Sequence, residues 1–192
     1  MFISRNNNKN NLYFMKLAFN QAQKNLGNTK ENPSVGCVIV RNGHLIGSGY
    51  TGFNGRPHAE INAINFTKLN LNNSSMYVTL EPCSHYGKTP PCINQIIKKN
   101  IKKVYFSVTD PDKRSFNKSK KILSNNGINV RTGFLSNKLN IFYKSYYKFK
   151  KSSSLPFVTS KLAASKDYLT VNKKKKWITN NSSRSRVHLI RS

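Results

Sequence analysis

At 192 residues the chain has room for one domain with a full hydrophobic core and for little more. Its 33 Lys and Arg against 6 Asp and Glu give a net charge of +27, which alone would point to nucleic acid or an anionic surface; the basic residues nevertheless form neither one arm nor one helix face and accompany many Asn, Ile, Phe and Tyr, so a nucleic-acid partner is not expected. Three cysteines make no disulfide framework, the start MFISRNNNKNN lacks a signal-peptide core, and no later stretch approaches membrane-spanning length, so a soluble cytoplasmic protein is predicted and a secreted scaffold or membrane protein is excluded.

In chain order, residues 1–11 read as a frayed lead. Leu12, Met15, Phe19, Ala22 and Leu26 then recur at steps of three and four, one face of a helix that Gly27 is placed to end. Two strands, Val35 to Arg41 and His44 to Gly49, flank Asn42-Gly43, a dipeptide suited to a tight hairpin turn because both residues tolerate positive φ. His58 to Leu69 reads as a helix with Ile61, Ile64 and Leu69 on its apolar side. Met76 to Glu81 follows as a strand, Cys92 to Lys99 as a helix and Val104 to Val108 as a strand. Ser119 to Asn126 is a helix closed by Gly127, Ile128 to Arg131 a strand, and Leu139 to Lys150 a last helix. Strands alternating with helices imply an α/β fold whose sheet is covered on both faces.

The chemistry concentrates at His58-Ala59-Glu60, Glu81-Pro82-Cys83 and Cys92, three soft metal ligands and a carboxylate in the order used by zinc-dependent base deaminases. One imidazole and two thiolates leave the fourth tetrahedral position of Zn2+ open for the water a deaminase must activate. Glu60, two residues from the histidine, is the expected proton shuttle. Both helix starts carry ligands, and Pro90-Pro91 suits the helix that Cys92 opens. Unpaired amides there favour thiolate over thiol.

Other polar groups are more ambiguous. Cys37 lies in the apolar run VGCVIV and reads as a buried inert thiol. Glu81 ends a strand and is given a structural role, bonding loop amides beside the metal. Asn32-Pro33 is equally a turn or an extended asparagine offering its amide to a heterocycle. His85, Lys88 and Thr89 sit in a loop tethered at both ends to the metal, so they border the open position, and a lysine there suits a phosphate.

With these residues in hand, the stretch from about Tyr13 to Lys150 resembles the deaminase domain of the bifunctional riboflavin-biosynthesis deaminase/reductase family. The likeness is carried by Asn32-Pro33-Ser34-Val35-Gly36, by His58-Ala59-Glu60 and above all by the run from Val78 to Cys92, VTLEPCSHYGKTPPC. Nucleic-acid and free-nucleoside deaminases generally have two residues between the paired cysteines, whereas eight intervene here. The resemblance implies a cytidine-deaminase-like three-layer α/β/α sandwich with a central mixed sheet. It also implies zinc-assisted hydrolysis of 2,5-diamino-6-ribosylamino-4(3H)-pyrimidinone 5′-phosphate to the pyrimidinedione and ammonia. Carried over by position, His58, Cys83 and Cys92 bind zinc, Glu60 is acid and base, and Asn32, His85 and Lys88 contact the phosphorylated pyrimidine. Homo-oligomerisation is a further implication.

Two departures stand out. Thr51 occupies a position where the family commonly has a pocket histidine, and Asp112 to Lys118 replaces a Gly-containing loop. Residues 151–192 resemble a truncated start of the family's reductase domain, in Pro156 to Ser165 and Trp177-Ile178-Thr179, with one more strand expected at Pro156 to Ala164. No reductase activity is expected from them, and a separate reductase polypeptide is the implied partner. The rival readings are a tRNA or nucleic-acid base deaminase, with the charge as its binding surface, and a zinc-stabilised structural remnant without activity.

Overall fold

The computed structural model describes residues 2–151 together with 157, 158, 160 and 168. The chain divides at Ser153/Ser154, and the first unit, Met1–Ser153, holds the sheet and its helices. The strand expected at Pro156 to Ala164 and the Trp177-Ile178-Thr179 likeness lie wholly or mostly outside the described residues.

The elements are α1 (Phe2–Ala22), β1 (Gly36–Arg41), β2 (His44–Tyr50), α2 (Ala59–Phe66), β3 (Ser75–Leu80), α3 (Cys92–Lys98), β4 (Lys103–Val108), α4 (Lys118–Asn125), β5 (Asn129–Thr132), α5 (Ser136–Phe142) and α6 (Lys144–Lys150). Asn42 and Gly43 both take positive φ, 52° and 80°, and close the β1–β2 hairpin as their sequence requires. The strands form one mixed sheet in the order β2-β1-β3-β4-β5. β1 is antiparallel to β2 and β3, whereas β3, β4 and β5 are mutually parallel. β2, β3, β4 and β5 therefore all point the same way. Helices cover both faces: α1 packs on β1 and β3 and α5 on β4, while α2 packs on β1 and β2 and α4 on β5. The Phe19 and Phe142 rings join α1 to α5, with centroids 5.2 Å apart. This is the expected three-layer α/β/α sandwich.

Side-chain alternation along β1 explains the layering. Val38, on the α1 side, pairs with Tyr77 of β3, whose ring stacks on Tyr105 at 4.5 Å beneath Phe14 of α1. Cys37 and Ile39 face α2, and Cys37 is the buried thiol expected. Opposite them on β2 stand Gly49 and Gly47. A Cβ on Gly49 would lie 2.4 Å from the Ala63 nitrogen and 2.5 Å from the Ala59 oxygen, so only glycine lets α2 sit directly on the strand.

The structure corrects three local expectations. First, α1 reaches back through the predicted frayed lead: Asn11 is buried and accepts a hydrogen bond from the Tyr77 hydroxyl at 2.7 Å, while Leu12 is 36% exposed. The buried stripe is Met15, Ala18, Phe19 and Ala22, and the helix ends before Gly27 in a short 3₁₀ turn at Gln23–Asn25. Second, the apolar face of α2 is Ala59, Ala63 and Ile64, and Leu69 lies outside the helix, because close approach to glycines selects small side chains. Third, the last helix bends at Tyr143, although the Tyr143 and Tyr147 amides still bond to the carbonyls four residues back. The Tyr143 hydroxyl is held from inside the core by Thr79 Oγ1 at 2.6 Å and donates to the Ser34 carbonyl at 3.1 Å.

Candidate active site

Because β2, β3 and β4 run the same way, the loops after them leave the sheet at one edge, where the segment leading into β1 also begins. Ligands and polar groups distant in sequence meet there, as is usual at the carboxyl ends of parallel strands. The loop after β2 delivers His58, which caps α2 with extended backbone (φ −66°, ψ 157°) and makes no side-chain capping bond, so its ring is free to turn away from the helix. The loop after β3 delivers Cys83 and, nine residues on, Cys92 at the first position of α3.

His58 Nδ1 lies 3.3 Å from Cys92 Sγ and 3.5 Å from Cys83 Sγ, and the Cys92 amide donates to Cys83 Sγ at 3.2 Å. All three ligand atoms fall within 4.8 Å of one another. Tetrahedral zinc with ordinary Zn–N and Zn–S bonds sets nitrogen and sulfur about 3.6 Å apart, so the observed spacing fits with little adjustment. Among the described residues no fourth histidine, cysteine or carboxylate joins this group, which leaves one corner of a tetrahedron for a non-protein ligand. The protonation balance also suits a cation. Hydrogen bonds from the Cys92 side chain, then from His58 and the Cys92 amide, bring the Cys83 thiol down to about 4 against the cost of its burial. Cys92 moves the opposite way, raised by its hydrogen bond to Cys83 and by burial. His58 is raised by its hydrogen bond to Cys83, with burial and the Arg56 charge opposing. Without metal the cluster thus carries shared protons that a divalent ion displaces.

Glu60, in the first turn of α2, is 4% exposed and hydrogen-bonds with the Cys92 thiol. Burial pushes its carboxyl up to about 7, with His58 opposing and Cys83 reinforcing the shift. A carboxyl poised near neutrality beside three metal ligands has the properties of a proton shuttle.

His58, Glu60 and Cys83 line a cleft of about 380 Å³, the size of small-molecule sites, with Cys92 behind them. Five of the chain's six carboxylates, Glu31, Glu60, Glu81, Asp110 and Asp112, line it in a molecule that is otherwise overwhelmingly basic. Asn32, His85 and Lys88 line it as well. The Asn32 side chain lies over Gly55, whose φ is +87° and whose Cβ would fall 2.2 Å from Asn32 Nδ2. Thr51 does not present a free polar group: its hydroxyl accepts from the Val35 amide at 2.8 Å and donates to the Pro33 carbonyl at 3.0 Å, fastening the segment that carries Asn32. His85 Nδ1 is engaged by Ser115 Oγ at 2.7 Å, which leaves Nε2 for a ligand. Lys88 is exposed at the rim.

Glu81 performs the structural task expected of it. Its carboxylate accepts from the amides of Asp110, Asn117 and Ser119, each at 3.2 Å, and so pins the loop after β4 beside the metal ligands. Burial raises its pKa against those bonds. The replaced loop is well formed: the Ser115 and Phe116 amides both bond to the Asp112 carbonyl at 2.9 Å, and buried Ser115 also accepts from the Ser84 amide at 3.3 Å. Sequence reasoning missed Arg56, Ser115, Asp110, Tyr146 and Lys150, all at or beneath the cleft. Arg56 carried a readable signal, since it stands two residues before the first ligand. The others did not, because their place depends on how the loop after β4 and helix α6 fold back.

The model of the cytidine and deoxycytidylate deaminase zinc-binding region matches residues 8–108. The diaminohydroxyphosphoribosylamino-pyrimidine deaminase of Buchnera aphidicola subsp. Acyrthosiphon pisum is 39% identical over 143 residues, 74% of this chain and 97% of that protein. The riboflavin biosynthesis protein RibD of Bacillus amyloliquefaciens is 40% identical over 174 residues, which are 90% of this chain but 47% of that protein. The chain spans about half the length of such bifunctional relatives. The crystal structure of the Thermotoga maritima diaminohydroxyphosphoribosylaminopyrimidine deaminase/reductase superposes with a TM-score of 0.84 at 34% identity, covering 96% of this chain and 54% of that one. Taken with the converging imidazole and thiols, these likenesses establish that the chain belongs to the zinc-dependent cytidine and deoxycytidylate deaminase family, among its riboflavin-biosynthesis deaminases.

Proposed function

We propose that the chain catalyses the hydrolytic deamination of 2,5-diamino-6-ribosylamino-4(3H)-pyrimidinone 5′-phosphate to 5-amino-6-ribosylamino-2,4-pyrimidinedione 5′-phosphate and ammonia. The observation that carries this reading is the convergence of His58, Cys83 and Cys92 around one point beside buried Glu60, at the floor of a cleft of about 380 Å³. Zinc, when held by those three side chains, supplies the Lewis acidity that brings a water's pKa to about 7. Glu60 takes a proton from the attacking water and delivers it to the ring nitrogen beside the reacting carbon, then moves the remaining hydroxyl proton to the exocyclic nitrogen, so that the C–N bond breaks with ammonia as the leaving group and a ring carbonyl remains. Burial keeps Glu60 out of bulk water and its proton affinity near neutrality, where both transfers are close to balanced.

Asn32 and His85 Nε2 are assigned to the heterocycle and its ribosylamine substituent, and Lys88 to the phosphate. The eight-residue spacing between the cysteines supports a small phosphorylated pyrimidine over a polynucleotide, because the long loop walls the cleft that a strand would have to thread. We assign only deamination to the chain; reduction of the product is assigned to a separate reductase polypeptide. No helix among the described residues is long and apolar enough to cross a membrane, and a reducing cytoplasm suits a site made of two free thiols.

Ammonia release from the pyrimidine phosphate tests the reading. The zinc-loaded chain should turn the compound over, while Glu60→Gln, at equal zinc content, should be slower by about 10³-fold or more. Near-full turnover by Glu60→Gln would sink the role given to that carboxyl. Ammonia from tRNA and none from the pyrimidine would instead favour a nucleic-acid deaminase.

A further inference from the structure

Four cations line the cleft: Arg56, Lys88, Arg114 and Lys150. Two are already paired, and share a single carboxylate. Arg114 grips Asp112 through Nε–Oδ1 at 2.9 Å and Nη2–Oδ2 at 2.6 Å, and Lys150 Nζ lies 3.2 Å from the same Oδ2. The other two have no carboxylate partner among the described residues. Arg56 is only half-buried, yet it is held in place, because its Nη1 donates to the Thr89 hydroxyl. That bond aims the remaining edge of the guanidinium at the loop between the cysteines. The position of a Cβ on Gly87 would lie 3.8 Å from Arg56 Nη2 and 3.9 Å from His85 Nε2. A fixed guanidinium and the free nitrogen of His85 thus flank one stretch of backbone, and the next residue along it is Lys88.

We infer that Arg56 is a phosphate-recognition residue, the second cation with Lys88 for the 5′-phosphate of the substrate. The inference rests on the substrate reading above, which supplies the phosphate monoester. Such a group carries close to two negative charges at neutral pH, matched here by two cations that nothing else neutralises. Lysine offers a point charge on a flexible stem, whereas arginine offers a planar fork that grips two phosphate oxygens in a fixed direction. Arg56 therefore sets orientation as well as affinity, pointing the pyrimidine end of the ligand toward Glu60 and the three metal ligands. A polyanion fits the same cleft poorly, since Glu31 and Asp110 line it too and disfavour any further phosphate.

The test uses the full zinc-loaded chain and two readouts. Calorimetric binding of ribose 5-phosphate should weaken by about 10- to 100-fold in Arg56→Gln, the loss expected for charge-assisted hydrogen bonds. In kinetics the same variant should raise KM for the phosphorylated pyrimidine by a similar factor, with a smaller fall in kcat as the orienting grip is lost. The dephosphorylated riboside should be affected less than about twofold. Arg56→Lys should recover part of the binding, and Thr89→Val, which frees the guanidinium, should weaken it by a few-fold. Those two variants carry the test if Arg56→Gln fails to retain zinc or to melt cooperatively. Wild-type affinity of Arg56→Gln for ribose 5-phosphate would overturn the inference, as would an equal loss with phosphorylated and dephosphorylated substrates, or a loss confined to tRNA. If the wild type binds ribose 5-phosphate in an Arg56-dependent way but releases no ammonia from the pyrimidine, the phosphate site stands and the substrate reading falls.

Discussion

Two loops leave the same edge of the sheet side by side, and they do different work. The loop after β3, residues 81–91, carries Cys83, His85 and Lys88 and delivers Cys92. The loop after β4, residues 109–117, supplies no metal ligand; its Asp110 and Asn117 amides donate to the Glu81 carboxylate, as does the Ser119 amide at the start of α4, and its Ser115 hydroxyl engages His85. The first loop has the reactive groups and is tied from outside by Arg56, through Thr89, and by the second loop. Chemistry in one loop thus depends on a support built in its neighbour, and the support is made of backbone amides and one hydroxyl.

Breaking the first loop should have the largest effect. Cys83→Ala removes a ligand and the thiolate that hydrogen-bonds His58 and the Cys92 amide, so zinc content should fall well below one per chain and ammonia release should vanish. Elemental analysis after dialysis checks the first and a deamination assay the second. Full zinc occupancy in this variant would mean that the described cluster is not the metal site.

Breaking the joint between the loops comes next. Glu81→Ala orphans three buried or half-buried amide donors, and the cost should be about 2–4 kcal/mol of stability in urea melts. Activity should fall more than zinc content does, since the displaced loop carries the partner of His85. A variant as stable as the wild type would show that the second loop stands without its anchor.

A finer cut separates support from binding. Ser115→Ala deletes only a hydroxyl, leaving His85 Nδ1 without its partner at 2.7 Å. A loss of about 1 kcal/mol is expected, read as a KM raised by roughly fivefold at unchanged zinc content. If kcat dropped and KM held, His85 would belong to the chemical step.

The smallest effect lies at the outer rim of the second loop. Arg114, then Lys150, hold the Asp112 carboxyl well below the usual carboxylate range. A depressed folded value means that the ion pairs contribute fully above the unfolded pKa, near 4, and that their contribution is lost as pH falls through the folded value. The melting-temperature difference between wild type and Asp112→Asn should therefore be constant from pH 7 to about 5 and shrink below about 4. Solvent around Arg114 limits the whole effect to about 1 kcal/mol. A difference that grew on acidification would reverse the sign of this account.

The same contrast between loops explains what could be read from the chain alone. Cysteine is scarce here, so two thiols near a His-Ala-Glu triplet stand out, and the metal-ligating positions were legible. Asn42-Gly43 was legible for the same reason, because the dipeptide carries its backbone preference with it. The second loop was not, since Ser115 and Asp112 are ordinary loop residues whose roles arise only when Glu81, far away in sequence, folds against them. Helix α2 shows the same limit: its buried face is set by Gly47 and Gly49 across the interface, not by its own largest side chains. The bend at Tyr143 likewise reflects a hydroxyl bonded to Thr79 and Ser34, residues of another layer.

X-ray absorption of the zinc-loaded chain tests the central claim most directly. One zinc per chain is expected, with two sulfur neighbours at about 2.3 Å and two nitrogen or oxygen neighbours near 2.0 Å, one of them exchangeable with solvent. A third sulfur, four protein ligands with no exchangeable position, or no stoichiometric zinc at all would contradict it.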